Sequence, residues 1–158
     1  MEKPTLYMET TIPSYLLAEP SHDVLVLARQ EITRMWWKRD NARYAIFVSE
    51  VVIREAGKGN RKEAEKRSEF LQQFPSLVAT PETQRLTELY IEKGVVPIGN
   101  AEDAAHLALA SVHQIEFLCT WNFKHLANVL ALRRFRQVNE KRGLFVPQVC
   151  TPEELPGE

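Results

Sequence analysis

Four side chains in this sequence have the chemistry to surround a divalent cation: Glu9, Glu55, Asp103 and, through an amide oxygen, Asn122. Glu9 closes one apolar run, Glu55 lies six residues past the end of another at Ser49, and Asn122 follows a third, 19 residues after Asp103. Clustered carboxylates repel one another, which is tolerable only where a cation neutralises them or some stay protonated. An oxygen-only donor set suits Mg²⁺ or Mn²⁺. Such an ion lowers the pKa of a water and stabilises charge on a phosphoryl oxygen. Each acid also has a plainer reading when taken alone. Glu9 is then an acid beside a helix N-terminus, Glu55 a solvated helix residue, and Asp103 an N-terminal helix acid favoured by the macrodipole.

The elements that must bring these residues together follow from the apolar periodicity. Thr5–Thr10 reads as a first strand, with Thr11 capping a short helix that carries Pro13 in its first turn. A long helix is predicted over His22–Arg39, its stripe formed by Leu25, Ala28, Ile32 and Met35 or Trp36. Arg43–Ser49 is a second strand, followed at once by a helix over Glu50–Ala56 that Gly57 and Gly59 stop. Asn60 caps a charged helix, Arg61–Phe74, with Phe70, Leu71 and Phe74 inward, and Ser76–Thr80 is a third strand. Pro81 opens the helix Glu82–Lys93, and Asn100 caps the apolar helix that begins at Ala101. Phe117–Thr120 is a buried strand. Asn128 caps a helix to Lys141 with the stripe Val129, Leu132, Phe135 and Val138, and Leu144–Cys150 is an edge strand broken by Pro147.

Strands alternating with helices predict an α/β protein, a three-layer α/β/α arrangement around a central, mainly parallel sheet. One domain over residues 1–150 and a tail over 151–158 complete the division. In a parallel sheet with right-handed crossovers the strand ends share one edge, so the four polar side chains can converge there. The formal net charge of −1 announces no overall basic field for nucleic acid, so any basic surface must be local. No apolar run is long enough to span a bilayer and the first residues lack a secretion-signal pattern. Cys119 and Cys150 read as reduced buried thiols, which fits a cytoplasmic protein. No phosphate-binding glycine loop supports a nucleotide-binding alternative.

The motifs LYMETTIPSYL, VSEVVIREAGKG, AEDAAHLALA and FLCTWNFKHL, in that order, resemble the PIN domain, the nuclease fold of VapC-type toxins in toxin–antitoxin pairs. The resemblance covers nearly the whole chain and lies in the order of the motifs. It implies a PIN-like fold and a Mg²⁺- or Mn²⁺-dependent endoribonuclease, a hydrolase that is as a rule dimeric and often held inactive by a small antitoxin. It places the family's acidic positions on Glu9, Glu55 and Asp103 as metal ligands and its fourth position on Asn122, which would orient water or support the ligands. Two residues depart from the family's pattern: the first acid is Glu rather than Asp, and the fourth position is an amide without charge. The second departure leaves open an alternative, a catalytically weak PIN-like module that binds RNA or protein.

Around these positions, Thr10, Thr120 and Ser49 stand where they can bond the carboxylates, Ser49 also where it can cap a helix. His106, one turn after Asp103, can pair with it, against the plainer reading of a histidine bonded to a neighbour. His125 reads as structural. Arg54, Lys58 and Lys124 are the candidate RNA-phosphate contacts. Of Trp36 and Trp37, one is expected in the core. The other is expected in a dimer or antitoxin interface, or simply buried under a loop.

Overall fold

The computed structural model describes residues 2–155. Five strands form one sheet in the order β3-β2-β1-β4-β5, with every pairing parallel. The strands are β1 (Thr5–Met8), β2 (Ala45–Ser49), β3 (Ser76–Leu77), β4 (Phe117–Cys119) and β5 (Gln148–Cys150). The helices are α1 (Thr11–Leu17), α2 (Val24–Asp40), α3 (Glu50–Ala56), α4 (Arg61–Leu71), α5 (Pro81–Glu92), α6 (Ala101–Val112) and α7 (Val129–Lys141). Contacts group α1, α2 and α4 on one face. On the other, α5 packs on α6, and α7 joins them through Tyr90 against Phe135 and Asn139 against Ser111. This is the α/β/α layering the alternation predicted, with helices covering both faces of a parallel sheet.

Central β1 explains the apolar strand runs. Leu6, Tyr7 and Met8 are fully buried, and β1 is paired on both sides, Tyr7 with Phe47 and with Leu118. The outer strands are shorter than their apolar sequence. β5 begins only at Gln148, whose N–H reaches Glu116 O, because the preceding Pro147 has no N–H to contribute to a ladder. β3 pairs for two residues only and Val78 is left exposed. Cys119 and Cys150 are register partners on β4 and β5, both buried and free. Burial pushes both thiols up, that of Cys150 to about 12.

The long helix turns the other way from its predicted stripe. α2 buries Gln30, Thr33, Trp36 and Asp40, and leaves Leu25, Ala28 and Met35 exposed and Ile32 half-buried. The inward polar groups find partners that periodicity does not show. Gln30 bonds Ser21 N and Glu19 O, Thr33 Oγ1 accepts from the Trp121 indole at 2.8 Å, and buried Asp40 meets Arg39 and Arg43. Polar residues can face a core when they are bonded, so the hydrophobic stripe lost to a largely hydrogen-bonded one, in which the Trp36 indole N–H and Asp40 Oδ1 are, among the described residues, the buried atoms without a hydrogen bond. Trp36 is the core tryptophan, and Trp37 packs edge-on against Phe70 and Phe74 on and after α4.

Smaller differences sit at element ends. α2 is capped by Asp23, which accepts from Val26 N, and α4 stops at Leu71, three residues before Phe74. α7 is capped by Asn128 as expected, but Val129 points to solvent while Phe135 is buried. Residues 151–155, read as the start of a tail, turn back on the sheet and bury Leu155 in the core. The rest of that tail, 156–158, lies outside the described residues. Among the described residues no helix is long and apolar enough to cross a membrane.

Candidate metal centre

The chain leaves β1 toward β2 on one side and returns through α5 and α6 to β4 on the other. The carboxyl edge between β1 and β4 is therefore the crevice where ligands bind in open parallel sheets. β4 is parallel to β1, so α6 must run back along the sheet and its first turn starts at that same edge. There Glu9, Glu55, Asp103 and Asn122 line one cleft of about 330 Å³, together with Thr10, Ser14, Tyr15, Lys58 and Glu102.

Each acid is held differently. Glu9, 3 % exposed, directs Oε1 at three donors: Thr11 N at 3.1 Å, Thr11 Oγ1 at 2.6 Å and Thr120 Oγ1 at 2.7 Å. Thr11 therefore begins α1 and spends its hydroxyl on Glu9 rather than capping the helix. Glu55 directs Oε1 at Thr10 Oγ1, 2.8 Å away, and at His106 Nε2, 2.6 Å away. On neither glutamate does Oε2 take a hydrogen bond among the described residues. Asp103 is bonded at both oxygens, by Asn122 Nδ2 at 3.3 Å and by His125 Nδ1 at 2.9 Å.

The carbonyl of Asn122 already has a donor. The backbone N–H of His125 donates to Asn122 Oδ1 at 3.0 Å, which fixes the amide orientation and turns the NH₂ toward Asp103. Since a carboxylate only accepts, His125 carries its proton on Nδ1 and donates it to Asp103. His125, read as structural, thus touches a site acid directly. Asn100 stands at the N-cap of α6 but makes no side-chain cap; its amide lies near the His125 ring instead.

His106 does not pair with Asp103. It is fully buried and bridges Glu55 to Tyr7 Oη, 2.6 Å from Nδ1, and Tyr7 lies 2.7 Å from Ser49 Oγ. Ser49 both caps α3, accepting from Val52 N, and joins this string. Burial pushes the Glu55 carboxyl up, but the bonds and charge of His106, with bonds from Thr10 and Glu102, outweigh it and hold the group down at about 2. Burial pushes the imidazole down, and the bond to Glu55 outweighs it in the other direction, so His106 titrates above its ordinary value. Burial pushes the Tyr7 phenol well up, so it stays a neutral donor.

Of the three basic residues singled out in the sequence, Lys58 alone lines the cleft, where its ammonium lies 3.3 Å from Glu102. Arg54 is exposed on the last turn of α3 and Lys124 lines a separate depression with Ile98 and Arg134; neither reaches the acids. Sequence reasoning missed Glu102, whose neighbour Asp103 carried the motif, and Tyr7, hidden inside an apolar strand. The signal for Glu102 is its place beside Asp103 in the first turn of α6.

The donor set fits a hard divalent cation. Two glutamate oxygens are left without hydrogen bonds, Asp103 lines the same cleft, and among the described residues Lys58 is the one lysine or arginine lining this cleft with four carboxylates. Ligand atoms of Glu9, Glu55 and His106 lie within 4.8 Å of one another, and Asp103 is not in that group. No family model and no curated protein matches the chain. Among solved structures, the fold is similar to a chain of VapBC2 from Rickettsia felis, in a crystal structure described as bound to a DNA fragment from their promoter. The TM-score is 0.59 at 13 % identity, and the match covers 93 % of this chain and 98 % of that one.

Proposed function

We propose that this chain is a PIN-like, Mg²⁺- or Mn²⁺-dependent endoribonuclease that hydrolyses RNA phosphodiester bonds, the toxin of a toxin–antitoxin pair. The observation that carries this reading is the convergence of Glu9, Glu55 and Asp103 from segments far apart in sequence on one cleft at the carboxyl edge. Glu9 and Glu55 would hold the cation through Oε2, with Asp103 completing the set. When bound, the ion supplies an acidified water and charge stabilisation at a phosphoryl oxygen. The protein's own groups set the stage: Thr11 and Thr120 fix Glu9, Thr10 and His106 fix Glu55, and Asn122 with His125 hold Asp103 in place. Lys58 at the rim offers a cation to RNA phosphate once it parts from Glu102. The likeness to a VapBC2 chain supports an antitoxin partner, and a homodimer and a cytoplasmic location complete the reading.

Cleavage of structured and single-stranded RNA by the purified chain, with Mg²⁺, with Mn²⁺ and with chelator, tests the proposal. Cleavage that persists in chelator, or no cleavage with either metal, rejects it. A second reading is favoured by one observation: the carbonyl of Asn122 already accepts His125 N–H and its amide carries no charge, so the fourth position adds little to the site. On that reading the chain is a catalytically weak module that binds RNA or protein. RNA binding with no Mn²⁺ binding at millimolar concentration decides for it.

A further inference from the structure

The buried string behind Glu55 closes on itself. It starts at Ser49, the cap of α3, passes through Tyr7 on β1 and His106 on α6, and returns to Glu55 on the last turn of α3. Ser49, Tyr7 and His106 are each fully buried, and none of the three lines the cleft. Ser49 Oγ, Tyr7 Oη and His106 Nδ1 are linked at 2.7 and 2.6 Å and His106 Nε2 meets Glu55 at 2.6 Å, so each link of the run toward Glu55 is made. Bonded at both ring nitrogens and walled in, His106 has a single orientation available. With Thr10 on the same atom, Glu55 Oε1 is turned into the protein, while Oε2 bonds neither of them and Glu102 is the remaining neighbour of the carboxyl.

We infer that His106, braced by Tyr7, is a positioning residue. By tying back Oε1 it leaves Glu55 as a one-oxygen donor and so sets the cation affinity of the cleft. This rests on reading the cleft as a metal site. Partners that orient a ligand in this manner typically change metal affinity by about 10- to 100-fold when removed.

The test is a Mn²⁺ titration by calorimetry on the full chain without RNA, with circular dichroism to verify folding. His106→Gln is expected to weaken Mn²⁺ binding about 10-fold. Tyr7→Phe keeps the ring and removes only the hydroxyl; it is expected to weaken binding by a smaller factor. In a Glu55→Ala background, adding either substitution is expected to change nothing further, because both act through Glu55. Equal losses in the two backgrounds would mark a general packing role and overturn the inference, as would wild-type affinity in His106→Gln. If His106→Gln does not fold, the same comparison with Tyr7→Phe decides alone. Absence of Mn²⁺ binding by the folded wild-type chain overturns this inference together with the metal reading. Tight binding indifferent to His106 and Tyr7 overturns the inference only.

Discussion

Two buried tyrosines anchor two polar networks in this molecule, and the networks end differently. Tyr90 on α5 bonds Asn139 on α7 and lies 3.2 Å from Ser111 on α6; Asn139 Nδ2 reaches Ser111 Oγ and Phe145 O. Every member is neutral, buried and bonded to another buried group. Tyr7 begins in the same way, with Ser49 and His106, but its network finishes on a carboxylate at the cleft. Burial pushes both phenols up, that of Tyr90 to about 12. A closed network of neutral groups locks three helices together. A network that ends on an anion with a free oxygen also holds that anion ready for a cation.

The contrast can be broken most sharply at the open end. Asp103→Asn is expected to cut RNA cleavage by about 100-fold or more, equivalent to about 2.7 kcal/mol, with little change in Tm. Full cleavage by that variant would remove Asp103 from the mechanism. At the closed end, Asn139→Leu removes the partner of the Tyr90 hydroxyl and of the Phe145 carbonyl and leaves Ser111 with Tyr90 and Leu107 O alone. It should cost about 3 kcal/mol and lower Tm by about 6–12 °C, with the Mn²⁺ affinity of whatever remains folded unchanged. Thermal melts and a Mn²⁺ titration read the two quantities separately, and a parallel fall in both would erase the distinction.

A smaller effect belongs to pH. The Glu55 carboxyl lies below its ordinary 4.5 and the His106 imidazole above its ordinary 6.5. The stability that Glu55 draws from the pair is present above pH 4.5 and fades as pH falls toward about 2. The stability that His106 draws from it is complete below pH 6.5 and fades as pH rises through its raised value. The Tm difference between wild type and Glu55→Gln in chelator should therefore be largest between those two ordinary values. A flat difference across pH 4–9 would deny the ion pair. The smallest expected effect lies on the opposite layer. Thr33→Val leaves the Trp121 indole without its acceptor and should cost about 1–2 kcal/mol without touching cleavage.

Much of the architecture was legible because its causes are local. Asn60 and Asn128 cap their helices as their types and positions require, and Ser49 caps α3 directly after β2. The apolar runs around Leu6, Val48 and Leu118 are the three inner strands. α2 departs from its predicted stripe for the opposite reason. Its apolar stripe faces out and its Gln30, Thr33 and Asp40 face in, Gln30 and Thr33 bonded to partners that no local rule reveals and Asp40 paired with Arg39 and Arg43 close by in sequence. Arg54 and Lys124 were placed near the acids by their position in sequence, but helix phase carries Arg54 to the outside and the turn after β4 carries Lys124 into another depression.

By itself, then, the sequence determined the order of elements, the parallel direction of the strands and the edge at which Glu9, Glu55, Asp103 and Asn122 gather, because periodicity, caps and crossover handedness act over a few residues or follow from chirality. Only the tertiary structure decided which oxygen of each glutamate is spent, that His106 serves Glu55 rather than Asp103, and that Asn122 gives its carbonyl to a backbone N–H. Those outcomes depend on atoms within about 3 Å of one another, contributed by residues 51 and 99 positions apart at His106 and 3 apart at Asn122. No spacing in a sequence resolves which of several donors a buried carboxylate will take; the packed geometry of the layers does.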